Sequence, residues 1–465
     1  MWEERLKTVG DQILRFAQRL GVEEAEAYAV SNRVLTIRLV NNAVFEAKGV
    51  HDIGVGVRVI QNGGLGFSST ADLSVRALEN KVEAALATSK ARKLPFKYRL
   101  PPPAKAPEVP GLYDKRLAKL PSDEAVELAY RMVEQSLAYS PKIADNAGVL
   151  NLVEYHVVVM NSHGVDADTR GTFFEASLTA TAKDGAQSSE GFDSTAGRSM
   201  DELRPGEVGR RAAEIAVSGL GAQPLTEGTY TVILDPQPAS DLNSYTSMLV
   251  SPMVAKLYYP LFLDKLGRKV ASDQLTILDD PLMPGGIGSS PIDDEGCPSK
   301  QVTIIEDGVL KSFVYDTFYG AMEGRETTGS ALRVSYAVGV SSFPGKSYNS
   351  EPIPVPRNPY IKPGDWRREE IIEETGDGLL SRFFHYTRIT HPTRGDFTSV
   401  LRMGLYQIKN GEVVASLRKA RIIDNLFNLL ANVDAVSDRL VVAGSWGSYT
   451  HTPVVRTKAH VVPVG

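Results

Sequence analysis

The side chains that most often hold a hydrolytic zinc ion are few in this sequence. It contains seven histidines and one cysteine, Cys297, and no histidine belongs to a His-Glu-x-x-His pattern or to its one-residue-longer form. The two histidines that are closest together are His385 and His391, in the stretch HYTRITH. Six residues separate them by about 20 Å on a strand and place them on nearly opposite sides of a helix. This pair therefore predicts no zinc site.

A run of three carboxylates, Asp293, Asp294 and Glu295, follows a glycine-rich loop at residues 285–290. Such a cluster can bind calcium or magnesium, or supply an acid and a base. The EF-hand spacing is absent, and the competing interpretation is that one carboxylate caps a turn while the others are solvated. The loop could offer backbone amides to a phosphate, but it lacks the ending of a P-loop. We expect it to form part of a cavity wall.

The stretch Gly444-Ser445-Trp446-Gly447-Ser448 has a superficial likeness to a nucleophile elbow. That motif requires a serine centred between two glycines, where this chain has Trp446. His451 is close in sequence, but closeness along the chain does not make a catalytic triad. The stretch therefore does not predict a serine hydrolase.

Bulk properties limit the class of protein. The chain has 465 residues and a formal net charge of −5, and it has no basic tract of the kind that binds nucleic acid. Its first 20 residues carry charges throughout, and no run of 18 apolar residues occurs, so neither a signal peptide nor a membrane span is expected. One cysteine excludes an intrachain disulfide. We expect a cytoplasmic protein.

The pattern of periodic segments predicts an α+β fold. An N-terminal α/β region with an antiparallel meander and helices precedes a large, mainly antiparallel β C-terminal domain with long loops. A proline-rich stretch cannot form a continuous helix or a central strand and indicates a linker. The predicted units are an N-terminal domain at residues 1–95, the linker at 96–110, a central α/β domain at 111–224 and a C-terminal domain at 225–465.

A set of short blocks is distributed along nearly the whole chain. The blocks are Ile53–Val59 (IGVGVRV), Gly66–Thr70 (GFSST), Tyr230–Pro236 (YTVILDP), Ala271–Pro284 (ASDQLTILDDPLMP), Pro291–Pro298 (PIDDEGCP), Glu306–Leu310 (EDGVL), Thr328–Ala331 (TGSA), Arg394–Phe397 (RGDF) and Lys409–Val413 (KNGEV). In their order and spacing, these blocks together resemble the TldD/PmbA family, in which the PmbA branch is also called TldE.

The resemblance implies a peptide-processing system. In it the TldD branch carries a His-Glu-x-x-x-His zinc motif and a C-terminal cysteine ligand. The PmbA branch lacks these ligands and pairs with TldD in a heterodimer that encloses a cavity, where unfolded peptides are cut. An older label of the family is modulator of DNA gyrase.

The resemblance places Asn243 at the first histidine of the motif, Ser244 at the glutamate, Met248 at the second histidine and Trp446 at the cysteine. Amide, hydroxyl, thioether and indole groups form neither a zinc ligand set nor a general base. The chain therefore falls on the PmbA/TldE side, with no cofactor of its own and zinc in a TldD-like partner. Candidate residues of the peptide cavity are Asp293, Asp294, Glu295, His391 and His451.

The predicted function is that of a non-catalytic subunit of a TldD–TldE type metalloprotease complex, which binds unfolded peptide. One alternative is an active metal-dependent peptidase with a non-standard site, such as the Asp293–Glu295 run. Another is a regulator that binds DNA gyrase. Expected partners are a TldD-like subunit and unfolded peptide, with a homodimer possible when the chain is alone; no nucleic acid and no membrane are expected.

Overall fold

The computed structural model of the chain describes residues 2–334, 346–445 and 448–464. It has the α+β architecture that the sequence predicts, with an antiparallel sheet and helices at the N-terminal side and a β-rich C-terminal region. Within the described ranges, no helix combines the length and the apolar character needed to cross a bilayer.

The N-terminal half forms a large antiparallel sheet flanked by helices. Its elements are α1 (Trp2–Arg19), β1 (Glu24–Val40), β2 (Ala43–Gln61), β3 (Gly64–Thr70), α2 (Val75–Ala91), α3 (Lys115–Ala118), α4 (Ser122–Tyr139), β4 (Ile143–Asn161), β5 (Asp166–Asp184), β6 (Gln187–Gly197) and α5 (Pro205–Ser218). Asn41 and Asn42 have positive φ in the first hairpin turn, as do Asn62 and Gly63 in the second. Such residues favour two-residue hairpin turns, and the predicted meander is confirmed.

The six strands lie in the order β3-β2-β1-β4-β5-β6, and every neighbouring pair is antiparallel. The predicted units at 1–95 and 111–224 therefore contribute three strands each to a single sheet. Pairing of β1 with β4 along Glu26–Leu39 joins them. No helix or strand lies between residues 94 and 110. The limits of the domains themselves stay a prediction.

Gly209 in α5 lies where this helix meets α4. A Cβ at this position would be 1.9 Å from the carbonyl oxygen of Met132. We therefore expect Gly209→Ala to force the helices apart and to lower the free energy of unfolding by about 1–3 kcal/mol, as measured by urea denaturation. Gly206→Ala is the matched control in the same helix, because a Cβ there meets only the flexible side chain of Gln135, at 3.1 Å. An equal loss of stability at Gly206 would contradict this explanation.

The C-terminal half is built mainly of strands and loops. Its elements are β7 (Gly228–Leu234), α6 (Pro236–Met248), α7 (Pro252–Leu257), β8 (Ile277–Asp279), β9 (Val302–Glu306), β10 (Val309–Leu310), α8 (Thr317–Glu323), β11 (Ala331–Leu332), β12 (Ile353–Pro354), β13 (Pro359–Ile361), α9 (Arg368–Thr375), β14 (Gly378–His391), β15 (Asp396–Lys409), β16 (Glu412–Ser416), β17 (Ala420–Asn425), α10 (Leu426–Ala431), β18 (Ala435–Val436), β19 (Val441–Ser445), β20 (Ser448–Thr452) and β21 (Val455–Pro463).

Five of these strands close into a small barrel. They are neighbours in the order β14-β7-β21-β17-β15, and β15 pairs back with β14. Only the β14–β7 pair among them is parallel. Apolar side chains from the barrel strands, from α6 and from α10 make one continuous core, which includes Leu234, Leu242, Leu401 and Leu426. The barrel thus fixes the position of α6.

Candidate functional site

Helix α6, on which the resemblance places the lost metal motif, begins directly after the barrel strand β7. Pro236 occupies its first position, where the missing N–H has no helical partner to lose. On one side, the side chain of Gln237 accepts a hydrogen bond from the N–H of Phe384 in β14, at 2.7 Å. On the other side, the hydroxyl of Ser240 donates to the carbonyl oxygen of Ala443 in β19, at 3.0 Å. The barrel and the β19–β20 hairpin therefore hold the helix between them.

The residues at the predicted positions of the family motif make contacts within the fold. Asn243 is 1% exposed, and its amide donates to the carbonyl oxygen of Pro359 in β13, at 3.0 Å. Its side-chain oxygen accepts a hydrogen bond from the hydroxyl of Ser247, at 3.1 Å. Ser244 and Met248 are half-buried, and Met248 packs against the barrel core. Asn243 thus anchors α6 to a neighbouring strand.

These residues do not fit a zinc ion. Between residues 236 and 251, Asp241 is the only side chain of a type that commonly binds zinc. A hydrolytic site needs about three such ligands and a general base. Trp446, the predicted counterpart of the cysteine ligand, lies outside the described residues. The ligand set is therefore missing from the helix itself.

Asp241 was not singled out from the sequence, although it is the one carboxylate on this helix. It is half-buried, and its carboxylate accepts hydrogen bonds from the hydroxyl of Thr387, at 2.6 Å, and from the amide of Gln237, at 3.3 Å. Burial raises the pKa of Asp241 to about 6. Tyr245, one turn later, donates to the carbonyl oxygen of Thr387. Asp241 thus helps to fasten α6 to β14.

The acidic run folds into a tight turn in the interior. Asp293 Oδ1 accepts hydrogen bonds from the N–H groups of Glu295 and Cys297, both at 2.9 Å, and Oδ2 accepts one from Ala331 at 3.2 Å. The expectation that one carboxylate caps a turn is therefore confirmed. The expectation that the others are solvated is wrong, because Asp294 and Glu295 are 3% and 0% exposed.

Glu295 belongs to a buried charge cluster that joins the N-terminal sheet to the C-terminal half; we define this cluster as Glu26, Arg58, Glu295 and Arg333. Arg58 donates to both oxygens of Glu26, at 2.8 and 2.5 Å, and to Glu295 at 2.8 Å. Arg333 donates to Glu26 at 2.5 Å. All four residues are at most 3% exposed. The contact between the two halves therefore contains buried, paired charges.

One group within the described ranges brings three potential metal ligands together: atoms of Asp293, Glu295 and Cys297 lie within 4.8 Å of one another. Their geometry does not favour a cation, because backbone N–H groups already bind Asp293 and the guanidinium of Arg58 binds Glu295. Burial and the charge of Glu295 raise the pKa of Asp293 to about 7. Burial also raises the pKa of the Cys297 thiol, so it carries no thiolate at neutral pH.

The candidate cavity residues lie in different surroundings, and their role in a peptide cavity stays a prediction. Asp293, Asp294 and Glu295 are 1%, 3% and 0% exposed and do not line an open cavity of the single chain, because the N-terminal sheet covers them. His391 stands at the end of β14 and accepts a hydrogen bond from the N–H of Arg394, at 3.3 Å. His451, on β20, has a buried Nδ1 without a partner among the described residues, and burial lowers its pKa.

The glycine-rich loop 285–290 presents carbonyl oxygens to the buried guanidinium of Arg198. Gly286, Ile287 and Ser289 accept hydrogen bonds from it at 2.7, 2.6 and 3.0 Å. A phosphate cradle needs the opposite polarity, with N–H groups converging on the anion. The loop therefore binds a cation of the protein itself.

Asp279, at the end of β8, gives the chain a pH-dependent stability. Its Oδ1 accepts hydrogen bonds from the N–H groups of Arg357 and Asn358, at 2.9 and 2.6 Å, while Oδ2 is buried without a partner among the described residues. Burial raises the pKa of Asp279 to about 6 from 3.8. The folded state then holds a proton that the unfolded chain has lost, so stability falls as the pH rises through this window.

Asp279→Asn should keep the Oδ1 acceptor and remove the ionisation. We expect its free energy of unfolding to equal that of the unmodified chain near pH 4 and to exceed it by about 1–3 kcal/mol near pH 8. Urea denaturation at both pH values measures the difference. A difference of the same size at both would contradict the assignment to this carboxylate.

Family models and relatives of known proteins match this chain. Models of PmbA/TldA metallopeptidase domains match the chain three times: domain 1 at residues 25–89, the central domain at 115–220 and the C-terminal domain at 227–462. Metalloprotease PmbA of Escherichia coli O157:H7 is 28% identical over 421 residues, which cover 86% of this chain and 83% of that protein. Metalloprotease MJ0996 of Methanocaldococcus jannaschii is 28% identical over 264 residues, 56% of this chain and 55% of that protein.

The fold also has a solved counterpart. TldE from Thermococcus kodakarensis superposes with a TM-score of 0.85 at 23% identity, covering 98% of this chain and 99% of that one. The C-terminal model alone spans just over half of the 465 residues, and the three models follow one another in the expected order. The chain belongs to the TldD/PmbA family.

Proposed function

We propose that this chain is a TldE/PmbA-like, non-catalytic subunit of a metalloprotease complex that binds and processes unfolded peptides. In this proposal a TldD-like partner supplies the zinc and the general base. The present chain supplies one wall of the shared peptide cavity and completes the partner's site.

One observation carries the proposal. Helix α6, which the resemblance predicts to correspond to the metal-binding helix of the family, has neither histidine, cysteine nor glutamate between residues 236 and 251. Asn243, at the predicted position of the first ligand, is buried and hydrogen-bonded to Pro359 and Ser247. Such contacts are typical of a helix with a structural role.

An active peptidase with a non-standard site is the competing enzyme hypothesis. Its best candidate is the group Asp293, Glu295 and Cys297. That group has little free coordinating capacity, because its carboxylates already bind backbone amides and Arg58. It also offers no exposed surface to a peptide. The geometry therefore favours the subunit hypothesis over this one.

A mixing experiment tests the proposal. An unfolded peptide is incubated with zinc and this chain, with a TldD-like protein, and with both, and its cleavage is followed by mass spectrometry. We expect cleavage only where the TldD-like protein is present, and faster cleavage in the mixture. Chelator-sensitive cleavage by this chain alone would contradict the proposal, and affinity capture of gyrase without a TldD-like protein would favour the regulator hypothesis.

A further inference from the structure

The C-terminal half contains an open cavity of about 580 Å³ to which the proposed function gives no role. The cavity lies between the loop that follows α7 and helix α10. Its lining combines two lysines, one aspartate, one aromatic ring and four small or apolar residues: Lys265, Lys269, Val270, Ala271, Ser272, Asp273, Phe427 and Ala431. Ligand sites in proteins commonly have this size and this mixture of apolar walls with a few polar groups.

Backbone hydrogen bonds on two sides fix the walls of this cavity. The N–H groups of Val270 and Ala271 donate to the carbonyl oxygen of Gly308, at 2.8 and 3.1 Å. The N–H of Ser272 donates to the carbonyl oxygen of Leu430 in α10, at 2.9 Å. The loop is thus attached both to the turn between β9 and β10 and to α10. A ligand would therefore enter a preformed cavity and would have little ordering of the chain to bring about.

Lys265 brings a cation that has no carboxylate partner into the cavity. Its side chain is half-buried, and its ammonium group lies 5.4 Å from the centroid of the Phe427 ring. Among the residues that the structure describes, none forms an ion pair with Lys265, whereas Lys269 binds Asp273 at 2.6 Å. A ring face attracts an ammonium group but accepts no strong hydrogen bond from it. The three donors of Lys265 are therefore available to an anion.

The apolar part of the lining selects what adjoins that anion. Val270 and Ala271 are 5% and 3% exposed, and Phe427 is half-buried and packs against the barrel core. A leucine or phenylalanine side chain that covers these groups loses apolar surface to water, which favours binding. A charged side chain in the same place would lose hydration without gaining a partner. The cavity therefore suits an anion that carries an apolar group beside it.

We propose that this cavity binds the C-terminal carboxylate of a peptide whose last side chain is apolar, with Lys265 as the partner of the carboxylate. Two lysines and one aspartate give the lining a net charge of +1, which a single carboxylate balances. A doubly charged phosphate would carry surplus negative charge next to Asp273. Capture of a terminal carboxylate is a recurring mode of peptide recognition. The choice of a peptide as ligand rests on the proposed function, whereas the preference for a carboxylate rests on the cavity alone.

Peptide binding by this chain alone, with neither zinc nor a TldD-like partner, tests the site. The probes are labelled unfolded peptides of one sequence that end in leucine, either as a free carboxylate or as an amide, and fluorescence anisotropy measures their affinity. We expect the free carboxylate to bind about tenfold more tightly, because only it forms a charge-assisted hydrogen bond with Lys265. Lys265→Met keeps the apolar stem and should abolish this preference. Lys142→Met, the control at a lysine that binds Asp184 outside the cavity, should keep it.

Equal affinities of the unmodified chain for the carboxylate and the amide would overturn the proposal, and this comparison needs no variant. An unchanged preference in a folded Lys265→Met chain, as judged by circular dichroism, would overturn it as well. So would an amidated peptide with an internal glutamate that binds as tightly as the free carboxylate, since recognition would then lie at an acidic side chain. Cleavage in the mixing experiment is measured separately, so a failure of this site and a failure of the proposed function are distinguishable.

Discussion

Replacing Arg58 by methionine is expected to lower the free energy of unfolding by about 3–5 kcal/mol. Arg58 is 1% exposed and is the cation of the buried charge cluster that binds both Glu26 and Glu295. Its removal leaves these two carboxylates buried with fewer partners, and the cost of an unpaired buried charge is much larger than the value of an exposed ion pair.

Urea denaturation of the variant at neutral pH measures this effect. The matched control is Arg116→Met, which removes an arginine that also binds two carboxylates, Asp114 and Asp201, but whose side chain is 60% exposed. We expect the control to cost less than about 1 kcal/mol. Equal losses at the two positions would show that the buried charge cluster does not stabilise the contact between the sheet and the C-terminal half.

Peptide cleavage by the mixed complex is expected to depend on the glutamate of the partner's zinc motif and not on Asp241 of this chain. Changing the glutamate of the zinc motif to glutamine in a TldD-like partner should lower the cleavage rate by about 10²–10⁴-fold, because it removes the general base. Asp241→Asn in this chain should change the rate less than twofold, although Asp241 is the only carboxylate on α6.

Single-turnover cleavage of one labelled peptide measures both effects. One complex contains the glutamine variant of the partner, and the other contains the Asp241→Asn variant of this chain. The Asp241→Asn chain must first be shown to bind the partner as the unmodified chain does, since Asp241 also holds Thr387 in β14. A loss at Asp241 as large as that at the partner's glutamate, with assembly intact, would place the base in this chain.

Local features of the fold were accessible from the sequence. The turns at Asn41-Asn42 and at Asn62-Gly63 follow from residue type, because asparagine and glycine adopt the positive φ that two-residue hairpin turns require. Strand β1 continues through the polar residues Ser31 and Asn32, where the sequence pattern of apolar residues is interrupted. These polar residues stay in the strand because Ser31 bonds His51 and Asn32 bonds the backbone of Lys346.

Contacts between residues far apart along the chain could not be predicted from the sequence. Glu26 and Arg333 are 307 positions apart in the sequence, and no local pattern indicates that they meet. For the same reason, the acidic run at 293–295 was expected to be partly solvated, whereas the N-terminal sheet covers it. The sequence alone shows that α6 has too few zinc ligands for a hydrolytic site, because this follows from residue types. The hydrogen bonds of Asn243 and Asp241 depend on the tertiary structure.

The zinc content of the purified chain tests most directly whether it has lost the metal chemistry of its family. The chain is incubated with excess zinc, and desalting removes weakly bound metal. The zinc content per chain is then measured by elemental mass spectrometry. We predict far less than one zinc per chain, because α6 offers Asp241 alone as a ligand. One tightly bound zinc per chain, lost on Asp241→Asn substitution, would contradict that prediction and place a metal site on this helix.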